Sequence, residues 1–162
     1  MRRQLFPSAG LRLMAKSVSA FDRYDLQRFI DAQNSIFEIA LAELRRGSKE
    51  SHWMWFIFPQ IAGLGRSPTA QRYAIRSLEE ARAYLNHGLL GPRLRQSVET
   101  LLFSAANRSP EQIFGSIDAM KLASSLTLFD QAAPGDIFAH ALDRLFGGQA
   151  DARTLALLTA QE

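Results

Sequence analysis

Residues 51–60 read Ser-His-Trp-Met-Trp-Phe-Ile-Phe-Pro-Gln, and both tryptophans of the chain fall inside that run. His52 sits at its polar edge. An imidazole there can donate, accept or act as a general base near neutral pH, which makes His52 the candidate acid/base group. Trp53 or Trp55 can wall a cleft and stack on a planar ligand, or both can be core with their indole N–H groups satisfied internally. Gln60 ends the run with a polar amide. Behind it comes Gly63-Leu64-Gly65-Arg66-Ser67-Pro68. Two glycines permit a tight turn, Ser67-Pro68 starts a helix, and Arg66 adds a fixed cation with forked donors. Such a turn suits a phosphate or carboxylate. Its spacing matches neither the P-loop nor the dinucleotide fingerprint.

Two lysines extend the constellation. If residues 49–58 are helical, Lys49, His52 and Phe56 share a face. Farther on, Asp118 and Lys121 are neighbours at i,i+3, and Lys121 and Ser125 at i,i+4. Lys121 lies among apolar residues, where a buried lysine can bind an anion; otherwise it makes an ordinary intrahelical pair with Asp118. The candidate ligand-binding residues are therefore Lys49, His52, Trp53, Trp55, Gln60, Arg66, Ser67 and Lys121. No metal centre is expected, since His140 with Asp136 and Asp143 lacks a third strong ligand and the chain has no cysteine. No cofactor is implied. Glutamate pairs such as Glu79-Glu80 read as an exposed face, so a two-carboxylate hydrolase has no foothold.

The elements that would position these groups read as helices. Asp22 or Tyr24 opens a first one. Ser35 and Glu38 have capping-box spacing ahead of a helix that ends at Gly47. Ser67-Pro68 and Ser109-Pro110 each give a cap followed by proline at the first helical position. Ser77 with Glu80 is a further box. Gly91-Pro92 reads as a break and restart, Ser116 opens a long helix with Leu122, Leu126 and Phe129 in a stripe, and Asp151 caps the last. No segment alternates as a half-buried strand does, and no Asn-Gly or Asp-Gly hairpin turn occurs. Residues 52–58 fit a buried strand as well as a buried helix; their helical neighbours favour a helix, ended by Pro59 and central to the domain. The expected fold is all-α, a single compact domain of about seven to nine short helices over residues 21–162.

Composition bounds the function. A chain of 162 residues with 47% hydrophobic and 22% charged side chains is an ordinary soluble domain. The net charge of +3 is unevenly placed. Residues 1–20 carry Arg2, Arg3, Arg12 and Lys16 and no acid, so removing those four from 19 basic residues leaves 15 against 16 acidic ones. The basic character belongs to a tail, read as a disordered extension with Met14 as an alternative start. A nucleic-acid surface needs a basic face on the folded body, so nucleic acid is not an expected partner. No apolar run is long enough to span a membrane. The absence of cysteine is compatible with a reducing cytoplasm.

The string Ser51 to Gln60, with Asp25-Leu26-Gln27-Arg28-Phe29, Asp31-Ala32-Gln33, Gly63 to Ser67, Tyr73-Ala74-Ile75, Glu80 to Leu85 and Lys121 to Phe129, strongly resembles an uncharacterised bacterial and fungal family, domain of unknown function 1810. Some of its members carry the label "calpastatin". The resemblance covers roughly residues 21–160. It implies a single, mainly helical, cytosolic domain and brings no established activity or catalytic residues. The family often has proline where this chain has Gly88. Two functional expectations follow. In one, the domain binds a small anionic ligand, phosphate- or carboxylate-bearing and nucleotide-like, around His52 and Gly63–Ser67. In the other, it is a non-enzymatic helical interaction module whose tryptophan run is purely core.

Overall fold

The computed structural model describes residues 22–162. The expectation of a disordered basic extension over residues 1–20 lies outside that range. Among the described residues ten helices follow one another: α1 Gln27–Gln33, α2 Phe37–Arg46, α3 Met54–Ile57, α4 Pro68–Arg72, α5 Leu78–Asn86, α6 Leu90–Ser104, α7 Pro110–Phe114, α8 Ser116–Ala132, α9 Ile137–Phe146 and α10 Ala152–Thr159. The only β pairing among the described residues is a single parallel bridge between Ile61 and Ile75. The fold is all-α, as the capping pattern predicts. No helix among the described residues is long and apolar enough to cross a membrane.

Several helix ends are held by the residues whose chemistry suits them. Both carboxylate oxygens of Asp22 accept N–H groups at the start of α1, from Leu26 at 2.7 Å and Gln27 at 2.9 Å. Gly47 ends α2 in the left-handed region at φ +68°, where a side chain would be strained. Ser67, Ser77, Asp136 and Asp151 each accept a backbone N–H at the start of their helix. Ser109 and Gln112 form a reciprocal capping box on α7.

Four local expectations are corrected. Glu80 is buried and not part of an exposed face; its carboxylate takes Arg28 and the Arg76 N–H, so it does not complete a capping box with Ser77. Ser35 and Glu38 do not form a box, because α2 starts one residue late, with Ile36 at its N-cap. Gly91-Pro92 does not break the chain: both lie in the first turn of α6, where proline's missing N–H is not needed. Gly91 serves close packing instead, since a Cβ there would lie 2.1 Å from the carbonyl oxygen of Leu85. The run 52–58 is helical only from Met54 to Ile57. Lys49 and His52 precede that single turn, so they share no helix face with Phe56. The central helix is α8, which packs against α3, α5, α7, α9 and α10.

The core is built from aromatic rings. Phe29 meets Tyr84 edge-on at 5.1 Å, Tyr84 meets Phe129 at 5.4 Å, and Phe129 meets Phe138 at 5.6 Å. A second group joins Trp53, Phe58 and Phe114. The Tyr84 hydroxyl accepts from the buried Gln33 amide at 3.0 Å, and its full burial raises the pKa of the phenol.

Polar groups close the loop between α3 and α5. Ala62 N–H donates to Ile75 O, and Ile75 N–H donates to Gln60 O, both at 2.8 Å. Arg28 braces the end of this loop. Its five N–H donors go to the carbonyls of Tyr24, Asp25, Arg72 and Ala74 and to the Glu80 carboxylate at 2.8 Å. The Arg28 and Glu80 side chains are only 9% and 3% exposed. Replacing Arg28 by alanine leaves that carboxylate buried and unpaired. The expected loss in a urea titration is ~3–5 kcal/mol. Lysine at position 28 is expected to recover only part of it, since an ammonium lacks the planar fork that spans these acceptors.

Candidate functional site

The site begins at Glu43. Its side chain points inward from α2 and is buried. It accepts the backbone N–H groups of Glu50 and of Ser51, the latter at 2.6 Å. Burial alone would raise the pKa of this carboxyl. The Ser51 and Glu50 donors, with the nearby Trp53 indole, outweigh burial and hold it below its ordinary 4.5. The turn so fixed delivers Lys49 inward and drops Trp53, wholly buried, into the core.

Lys49 and Lys121 meet on one carboxylate. Lys49 Nζ lies 3.0 Å from Asp118 Oδ2 and donates to Ser51 O at 2.7 Å. Lys121 Nζ lies 3.4 Å from Asp118 Oδ1. Each ammonium also sits over an indole, Lys49 at 4.9 Å from the Trp53 ring centre and Lys121 at 4.6 Å from that of Trp55. The two lysines differ in access: their side chains are 8% and 27% exposed. Lys49 is the sequestered counter-ion of Asp118. Lys121 has the longer contact and faces a cleft.

That cleft has a volume of about 380 Å³, within the roughly 300–1,000 Å³ usual for small-molecule sites. One wall is Trp55, Gln60, Leu64, Gly65 and Ala70; the other is Ile117, Met120, Lys121 and Ser124 on α8, with Asp151 and Arg153 at the edge. Ile117 and Met120 are 71% and 67% exposed, unusual for apolar residues on the central helix. Ser124 Oγ donates to Asp151 Oδ2 at 2.9 Å, and Asp151 N–H donates to Thr127 Oγ1 at 2.8 Å, which ties the start of α10 to α8. A smaller cavity of about 100 Å³ shares Trp55, Gln60, Gly65 and Ala70 with the cleft and continues past Ile61 and Tyr73. The neck between them is tight: a Cβ on Gly65 would stand 2.5 Å from that of Ala70.

The structure thus joins Trp55, Gln60 and Lys121 in one cleft, with Lys49 behind them through Asp118. Trp53 is core and lines neither the cleft nor the smaller cavity. His52 is exposed and lies outside the cleft, as do Arg66 and Ser67. Ser67 Oγ is occupied by the Ala70 N–H at 3.1 Å. The helix it starts, α4, has only five residues, too short for much of a dipole. Asp151 and Arg153 were not separable from an ordinary helix start in the sequence; only tertiary packing brings them here.

The model of the family described as "Protein of unknown function (DUF1810)" matches residues 23–158. The chain belongs to this family. A solved structure, that of the conserved hypothetical protein Rv1873 from Mycobacterium tuberculosis, is similar at 50% sequence identity and a TM-score of 0.83, over 85% of this chain and 99% of that one. No curated protein matches the chain. The matched residues include every lining residue of the cleft.

Two outcomes test this geometry. Because the Glu43 carboxyl has a lower pKa folded than unfolded, its contribution to stability is complete above about 4.5 and fades as pH falls through the folded value. Chemical denaturation from pH 6 down to pH 3 is expected to show a shallower loss for Glu43→Gln than for the wild type. Trp53→Ala is expected to remove ~3–5 kcal/mol of stability, the usual loss for a buried large aromatic, and Trp55→Ala clearly less.

Proposed function

We propose that this protein binds a small anionic ligand with a flat, apolar body in the cleft between Trp55 and α8. One observation carries the reading. Lys121 presents an ammonium on the Trp55 face, and its one carboxylate partner among the described residues, Asp118, is more closely held by Lys49. Lys49, Lys121 and Arg153 against Asp118 and Asp151 leave one net positive charge at a mainly apolar cleft. A charge there attracts an anion more strongly than it would in open water. Trp55, Leu64, Ile117 and Met120 supply apolar surface for the rest of the molecule, and Gln60 and Ser124 supply polar edges. An aromatic carboxylate or a nucleotide-like phosphomonoester has this chemistry. Arg153, at the cleft's edge, is a second cation for the anionic group.

The reading shifts the ligand away from His52 and Arg66 and onto Lys121. It includes a cytoplasmic location, with which the absence of cysteine is compatible.

A thermal-shift screen of aromatic carboxylates and phosphomonoesters tests it. A binder present at a hundred times its dissociation constant is expected to raise the midpoint by about 5 °C or more. Lys121→Ala and Trp55→Leu should abolish the shift, and His52→Ala should keep it. A hit that stabilises Lys121→Ala as well as the wild type, or a screen with no hit, would sink the proposal.

A further inference from the structure

A second concavity, of about 570 Å³, lies where the loop after α4 meets the start of α1. Four arginines line it, Arg23, Arg28, Arg72 and Arg76, together with the acids Asp25 and Glu80. Arg28 is fully committed, with all its donors engaged. Glu80 is committed too: Oε1 takes Arg28, and Oε2 takes the Arg76 backbone N–H at 2.7 Å. This buried pair cancels and serves as the floor.

Three guanidinium groups remain. Arg23, Arg72 and Arg76 form no ion pair among the described residues. Residues 1–21 contain no aspartate or glutamate, so they bring no carboxylate to the groove. Asp25 is the one acid left in the lining to oppose three cations. Two of the three are steadied on aromatic rings, Arg23 over Tyr24 at 5.3 Å and Arg72 over Tyr73 at 5.7 Å. Like charges gathered in one concavity repel each other, and a ligand that neutralises them recovers that energy. A guanidinium fork fits phosphate oxygens in pairs. A single carboxylate has too few oxygens for three forks, whereas a chain of phosphates can engage all of them. We propose that this groove binds a small molecule carrying a di- or triphosphate group, independently of the Trp55 cleft.

Calorimetric titration of the full chain with inorganic tripolyphosphate tests this. Wild-type protein is expected to bind, and to bind more weakly as salt is raised. The double variant Arg72→Ala, Arg76→Ala should weaken binding at least about tenfold, through loss of charge-assisted hydrogen bonds. Arg23→Ala, on a separate segment, should weaken it on its own. Lys121→Ala should leave it unchanged. All of these side chains are at least partly exposed, so the thermal midpoints should match the wild type and separate binding from folding. Absence of binding by the wild type, full binding by the double variant, or equal loss in Lys121→Ala would each overturn the proposal.

Discussion

A buried carboxylate sets the geometry of this protein's most distinctive segment. Glu43 projects into the interior from α2, where a charge is tolerated only if hydrogen bonds replace its water. The replacements come from the backbone N–H groups of Glu50 and Ser51. They are within reach because Gly47, in the left-handed region, turns the chain back on the end of α2. From that reversal the next placements follow in order. Lys49 enters the interior, Trp53 fills the core against Phe58 and Phe114, and α3 starts at Met54, leaving Trp55 half-buried at the surface. A run of aromatic residues this dense would pack in many ways without one polar fixture. Glu43 selects the packing in which one tryptophan is core and the other is wall.

The same selection separates the two lysines. Each sits over an indole, an arrangement worth roughly 0.5–2 kcal/mol depending on solvent exposure. They are not equivalent, because Asp118 sits nearer the more buried one. A desolvated ammonium needs a carboxylate more than a wetted one does. Lys49 therefore takes the close contact, and Lys121 stays available at the mouth of the cleft. Lys121 and Asp118 alone would be an unremarkable helical pair; Lys49, arriving from far away in sequence, changes the charge balance.

Local chemistry was largely legible in the sequence, and long-range chemistry was not. Gly47, Ser67, Ser77, Ser109 and Asp151 all cap where their residue types predict, because a cap depends on a few adjacent residues. Ser35 and Glu38 misled because α2 starts one residue past the expected N-cap, with Ile36 at that position and Phe37 already buried in its first turn. Gly91-Pro92 misled because glycine there answers to the Leu85 carbonyl, a partner invisible to local pattern. Residue-type reasoning grouped Trp55, Gln60 and Lys121 with His52, and the structure puts those three in the lining of one cleft. His52 lies outside that cleft, because α3 begins after it and the helical projection through Lys49, His52 and Phe56 does not hold. Arg153 and Asp151 approach through α10, whose docking on α8 depends on Ser124 and Thr127. No spacing rule links residues so far apart.

The loop from Ile61 to Ile75 is where these constraints meet. Its first half, through Leu64 and Gly65, walls the Trp55 cleft, and its end, through Gln71 and Arg72, walls the arginine groove. A loop of this length would be mobile if its ends were free. Here two backbone hydrogen bonds join the ends, and Arg28 clamps the carbonyls of Arg72 and Ala74 from the side. Within it, Gly63 at φ +103° lies against Leu157 of α10, and Gly65 lies against Ala70. The first glycine is required by its backbone angle, the second by the lack of room for a side chain. A wall held at both ends and packed in the middle presents fixed apolar surface to the cleft, through Leu64, Gly65 and Ala70, and the Arg72 guanidinium to the groove. The glycine-rich turn thus contributes backbone that approaches Ala70 of α4 and Leu157 of α10 closely, while the charged groups of the cleft come from α8 and α10.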